Sequence, residues 1–221
     1  MHLYLYSDLG APSQTALLPP QSSRLVVRRA MQSDAPGIAW VVARAFKDKF
    51  NPAFGTEERA TRALTPYVAS EMTRRGNHMF VATIGDAVVG SVSVSTQKSP
   101  APGVIGMFYR AVGFWSTVRA LCVLSFLSDP LPAPDEAYVE VLGVAPNQQR
   151  RGIGRALMIA AEEMARSLHK RRLTLYVTAN NRGAQELYLS RGLTVRRRSH
   201  SLVGWLLFRA PGFCRMEKAL T

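Results

Sequence analysis

Cysteine is nearly absent from this 221-residue chain, and its two residues, Cys122 and Cys214, stand far apart. Such a pair cannot form the closely spaced disulfide framework of a small secreted scaffold. The chain therefore reads as a cytoplasmic protein with reduced thiols. Histidine is scarce too: His78, His169 and His200 show no metal-ligand spacing with each other or with the cysteines, so no metal site is expected. Acidic residues number 15 against 28 basic ones, a formal net charge of +13, and 23 of the 28 are arginine. A basic protein attracts nucleic acid, anionic lipid or phosphorylated cofactors, and net charge does not choose among these.

Other absences narrow the class. Residues 1–23 lack the cationic start and long apolar run of a signal peptide and read as a loose leader rich in Pro, Ser and Gln. One stretch, residues 103–127, is apolar and long enough to span a bilayer. It carries Arg110 and Arg119, each costing about 3 kcal/mol near the bilayer centre. It reads as a buried or cleft-covering helix; membrane-surface contact is the less favoured reading. Hydrophobic residues make up 47% of the chain, enough for a sizeable core. Residues 24–221 are expected to form a single domain.

The elements alternate. RLVVRRA (24–30) reads as a strand, and apolar residues at helical spacing follow Asp34. A second helix is expected from Thr56 to Arg74, stopped by Gly76. HMFVATI and AVVGSVSVS, separated by Gly85-Asp86, read as a hairpin. Residues 97–135, fenced by SPAPG and SDPLPAPDE, read as an inserted apolar helical segment. AYVEVLGV (137–144), a helix over 151–169 and LTLYV (173–177) form a βαβ unit with parallel strands. A helix over 182–191 stops at Gly192. LTVRRRS and FCRMEKA finish the chain as strands, with VGWLLF between them less defined. In LTVRRRS the run Arg196-Arg197-Arg198 reads as a solvated strand. The expected class is α/β, of the mixed α+β kind: a mixed sheet flanked by helices.

The most informative segment is VAPNQQRRGIGR (144–155), between a strand and a helix. Gly152 and Gly154 remove side chains where the helix begins. Free N–H groups and the helix dipole there favour an anion, with Arg150, Arg151 and Arg155 alongside. The P-loop pattern is absent, and the dinucleotide pattern fails because Leu157 takes its last place. A glycine pair at a helix start equally reads as tight packing.

The run V-x-P-x-x-Q-R-R-G-I-G-R-A-L resembles the acetyl-CoA motif of the GNAT superfamily of acetyl-CoA-dependent N-acetyltransferases. Gln149, Gly152 and Gly154 fill its core. N-R-G-A-Q-E-L-Y-L-S-R-G-L (181–193) is similar to the motif that follows in that family. Asn181, Ala184, Leu187, Tyr188 and Gly192 match, and Leu193 replaces the usual Phe. The close match covers about 138–193. The resemblance implies a GNAT-like twisted mixed sheet and acetyl-CoA as cosubstrate. Gln149, Arg150, Arg151, Gly152, Ile153, Gly154 and Arg155 would hold its phosphates. The backbone of Leu142 and Val144 would bind its thioester arm like an added strand, with a polar contact from Asn181. Asn181 is also a preferred N-cap for the helix it precedes.

Acetyl transfer to an amine needs a base for the ammonium and an acid for the departing thiolate. Glu140, a carboxylate in an apolar strand, is the candidate base, directly or through water. By alternation it shares a face with Tyr138, Leu142 and Val144. Its other reading is a structural hydrogen bond. Tyr188 is the candidate acid on the strength of the resemblance; its other reading is core packing. The expected acceptor is a primary amine of a small molecule. A protein N-terminus or lysine, or a non-catalytic module binding acyl-CoA or RNA, are the alternatives. No specific nucleic-acid partner is expected, and the oligomeric state is open.

Overall fold

A computed structural model describes residues 24–74, 76–96, 133–200 and 212–220. The leader, the VGWLLF run and the insert up to residue 132, with Cys122, Arg110 and Arg119, lie outside the described residues.

The described strands form one seven-stranded sheet in the order β1-β2-β3-β4-β5-β7-β6. They are β1 (Leu25–Arg29), β2 (Asn77–Ile84), β3 (Ala87–Ser95), β4 (Glu136–Val144), β5 (Arg172–Thr178), β6 (Thr194–His200) and β7 (Gly212–Ala219). Only β4 and β5 pair in parallel; every other pair is antiparallel. The hairpin expected around Gly85-Asp86 is present, with Gly85 at φ +58°. Helices α1 (Ala35–Ala45), α2 (Lys47–Phe54), α3 (Glu57–Thr73), α4 (Ile153–Ser167) and α5 (Arg182–Ser190) flank the sheet. Thr56 caps α3 as expected, its Oγ1 accepting from the Arg59 N–H. Helix α2 has no counterpart in the sequence reading. It packs Phe50 and Phe54 against the core, their rings 5.9 Å apart.

Strand periodicity divides the core between the two faces. Val92 and Val94 of β3, Val139 of β4 and Leu173 and Leu175 of β5 pack with Leu157, Met158 and Ala161 of α4. Ile38, Ala39 and Val42 of α1 pack with Leu64 and Val68 of α3 and Val81 of β2. Each fully buried large side chain contributes about 1.5–3 kcal/mol. The Arg196-Arg197-Arg198 run lies in the edge strand β6, with all three residues exposed and Arg196 paired to Glu217.

Glu162 of α4 ties one half of the sheet together. It is 1% exposed, and its carboxylate meets Arg191 at 2.9 Å and Lys218 at 2.8 Å. Burial works against its charge, but these two cations outweigh burial and hold its pKa below the usual range. Arg191 closes α5 and Lys218 lies in β7, so one carboxylate anchors both.

Glu162→Gln leaves two cations without their partner. Full burial would make this cost about 3–5 kcal/mol. Here the cations are about one-fifth exposed, so we expect about 2 kcal/mol, a fall of roughly 4–8 °C in Tm. The depressed pKa makes this contribution complete above about pH 4.3, the unfolded value, and it is lost as pH falls through the folded value. Thermal melts of both forms at pH 7 and pH 3 should show the gap at pH 7 and a smaller one at pH 3.

Candidate active site

Strands β4 and β5 begin together and then part. Their parallel register runs from Glu136↔Arg172 to Val139↔Leu175 and stops there. Beyond that point β5 continues with β7 to Thr178, and β4 continues with β3 to Val144. From Glu140 to Val144 the β5-side edge of β4 therefore has no strand partner among the described residues. The register against β3 shifts at the same place. Ser93 pairs with Val141 and Val94 with Val139, so Glu140 is the extra residue of a β-bulge.

The bulge corrects the alternation read from sequence. Leu142 and Val144 pack on the α4 side with Ala137 and Val139, whereas Val141 packs on the α1–α3 side. Glu140 also reaches the α3 side, away from Leu142 and Val144. Its Oε1 accepts from Arg74 Nη2 at 2.7 Å and its Oε2 from Ser93 Oγ at 3.2 Å. The side chain is 24% exposed. Arg74 Nη2 also lies 2.7 Å from Glu71 Oε2, so one guanidinium faces two carboxylates. Glu71 is buried, and burial pushes its pKa up, with the Glu140 charge adding to the effect. Burial, with Glu71 and Glu140 nearby, also raises the pKa of Tyr67 on α3.

The glycine turn follows β4 directly. Pro146–Gln148 makes a short 3₁₀ turn, and Gln149 Nε2 donates to the Val144 carbonyl at 3.2 Å. Arg150 takes a left-handed φ of +62°, an uncommon conformation for a side chain of its size. Gly152 stands at the N-cap of α4 with φ +79°, and no atom lies within 4 Å of where its Cβ would be. No side chain caps α4 and no acid lies in its first turn, so its leading N–H groups are left for an anion. Arg150, Arg151 and Arg155 are exposed; Arg151 donates to Gln148 Oε1 at 2.6 Å. Arg150 also reaches α5, with Nη1 3.9 Å from the Cβ position of Gly183.

Two glycine-loop residues serve packing as well. Ile153 is buried, so only its backbone can meet a ligand. A Cβ on Gly154 would come within 3.0 Å of Leu187 Cδ2. Glycine there lets α5 approach α4 beside Leu142 and Val144. Asn181 is the cap of α5, its Oδ1 accepting from the Ala184 N–H at 3.2 Å. Tyr188, one residue beyond Leu187, is 7% exposed. Burial alone raises its pKa to about 12.

The structure thus gathers the glycine turn, the open edge of β4, Asn181 and the start of α5 at one end of the sheet. Glu140 sits at the base of the opening. Among the described residues, no group of three or more His, Cys, Asp or Glu side chains is arranged to hold a metal ion. The residues around Glu140 were not legible in the sequence. Glu71 and Arg74 show only helical i, i+3 spacing, and nothing local links them to a residue 66 positions later.

Residues 40–193 match the description Acetyltransferase (GNAT) family. A mycothiol acetyltransferase of Beutenbergia cavernae is 41% identical over 75 residues, which is 34% of this chain and a quarter of that protein's length. Among solved structures, the ribosomal-protein-S18-alanine N-acetyltransferase of Escherichia coli superposes with a TM-score of 0.57 at 16% identity, covering 90% of this chain and 95% of that one. The yncA protein of Salmonella typhimurium, solved with its cofactor acetyl-CoA, gives 0.59 at 18% identity, covering 89% and 94%. The family match takes in well over half of the chain, and with the mixed sheet, the glycine turn and the parted strands it makes this protein a member of the GNAT acetyltransferase family.

Proposed function

We propose that the chain is an acetyl-CoA-dependent N-acetyltransferase whose acceptor is a primary amine of a small molecule. The observation that carries this reading is the end of β4–β5 pairing at Val139↔Leu175, beside the Gly152 turn. An unpaired β4 edge suits an extended amide-bearing arm, which adds to it as a strand would. The uncapped α4 N-terminus and the exposed Arg150, Arg151 and Arg155 suit the phosphates at the other end of such a molecule. These features fit acetyl-CoA, which when bound supplies an acetyl group activated as a thioester.

Glu140 takes up the proton of the acceptor ammonium, directly or through one water. Presenting a neutral alkylamine at pH 7 otherwise costs about 4.6 kcal/mol. Tyr188 stays protonated at any physiological pH. With its pKa at about 12, complete proton transfer to a thiolate of pKa about 8.5 runs uphill by about 3.5 units. Its hydroxyl therefore acts by donating a hydrogen bond to the thiolate in the cleft. The small-molecule acceptor draws support from the matched segment of the mycothiol acetyltransferase. The ribosomal-protein enzyme, at 16% identity, speaks to fold alone. Titration calorimetry with acetyl-CoA, and thiol release over aliphatic amines, aromatic amines, amino sugars and short peptides, test the whole reading. Turnover of peptides alone would move the acceptor to proteins, and tight binding without turnover would make the chain a binding module.

The turn has a direct test in Gly152→Ala. A side chain at φ +79° adds about 1–2 kcal/mol of strain. It projects where no protein atom lies, so the fold accommodates it. CoA affinity measured by calorimetry should fall at least about tenfold, or 1.4 kcal/mol. Gly154→Val is the poorer probe, because it collides with Leu187. For Tyr188→Phe, the lost hydrogen bond to a charged group predicts a kcat about 10- to 100-fold lower with the acetyl-CoA KM unchanged. Turnover within twofold of the parent would make Tyr188 a packing residue.

A further inference from the structure

The polar groups around Glu140 close into a ring. Glu140 Oε1 accepts from Arg74, Arg74 faces Glu71, and Glu71 accepts from Asn77. Asn77 Oδ1 then accepts from Ser93 Oγ at 2.9 Å, and the same Ser93 Oγ lies 3.2 Å from Glu140 Oε2. Ser93 has one hydroxyl hydrogen and two acceptors within reach. The orientation of Asn77 is not free: its Nδ2 has two acceptors at 3.1 Å, the Glu71 carbonyl and Glu71 Oε2. Its Oδ1 must therefore face Ser93.

These directions let the ring satisfy Glu140 in either charge state. As a carboxylate, Glu140 Oε2 accepts the Ser93 hydrogen. As an acid, with the proton on Oε2, it donates to Ser93 Oγ, and Ser93 turns its own hydrogen to Asn77 Oδ1. Ser93 is 5% exposed, so water is a poor substitute for its hydroxyl. We infer that Ser93 and Asn77 are positioning residues for Glu140: a hydroxyl relay that donates to the charged base and accepts from the protonated one. The inference rests on Glu140 being the base. The acceptor N–H bond breaks, the proton passes to a Glu140 carboxylate oxygen, and the Ser93 hydroxyl rotates toward Asn77. The proton then leaves to water as the ring resets. Glu71 serves the relay by holding both Asn77 and Arg74.

The test is a double-mutant cycle on the full chain, with the fastest amine of the panel as acceptor. Ser93→Ala leaves a protonated Glu140 without its acceptor, and Asn77→Ala leaves Ser93 without its alternative acceptor. Each single variant should lower kcat about tenfold, as expected for a partly buried polar group left unmatched. The acetyl-CoA KM should stay at the parent value. Because the two residues act as one chain, the double variant should be no slower than the worse single. Kinetics near the parent in Ser93→Ala, or additive losses in the double variant, overturn the relay while an inactive Glu140→Gln leaves the base in place. A Glu140→Gln variant with parent-like turnover instead removes the base, and the relay with it. Should Ser93→Ala fail to fold, Asn77→Ala with Asn77→Gln carries the test: tenfold loss of kcat at unchanged acetyl-CoA KM in both supports the relay, and parent-like kcat overturns it.

Discussion

Everything proposed for this protein depends on a loss of strand pairing in mid-sheet. Strands β4 and β5 share four register positions, and then each follows a different neighbour. A continuous parallel pair would have satisfied the β4 edge and left no place for a ligand backbone. Parting the strands leaves that edge free over Glu140–Val144. The β-bulge at Glu140 marks the point of divergence. It also turns Glu140 toward α3 while sending Leu142 and Val144 toward α4. One local irregularity thus separates the face of the proposed base from the face carrying Leu142 and Val144.

Three carboxylates, one on α4 and two on β4, are held in different ways. Glu162 meets Arg191 and Lys218 and is almost wholly buried. Glu136, at the start of β4, accepts from Thr174 and Arg215 and is buried as well. Both are saturated with donors and serve as anchors between elements, one joining α4, β7 and the end of α5, the other joining β4, β5 and β7. Glu140 shares the Arg74 guanidinium with a second carboxylate and retains solvent access. A group with a shared cation and an exposed flank can meet an incoming amine. The two saturated groups would have to break several charge-assisted bonds to do so.

Much of the fold could be read from the chain. The glycine stops at Gly76 and Gly192, the Gly85-Asp86 turn and the Thr56 cap are local signals, and each stands where the sequence put it. The glycine turn at the start of α4 was legible for the same reason: it is made by consecutive residues whose backbone N–H groups start a helix. Alternation along β4 was misleading, because a bulge changes the period by one residue and leaves no mark in composition. The short α2 also escaped notice, since eight residues holding few periodic apolar positions give little signal.

The sequence by itself determined most of the elements and the glycine turn, because each is set by residues a few positions apart, and it singled out Glu140 as a candidate base. It also marked Tyr188 and Asn181 through the spacing of a second motif. The tertiary structure decided what surrounds them. Arg74 and Glu71 come to Glu140 from a helix that precedes it by some 66 residues, and Ser93 from a strand 47 residues away. Their meeting depends on strand register and on the packing of α3 across the sheet, which are products of the whole core. No pattern confined to neighbouring residues carries that information.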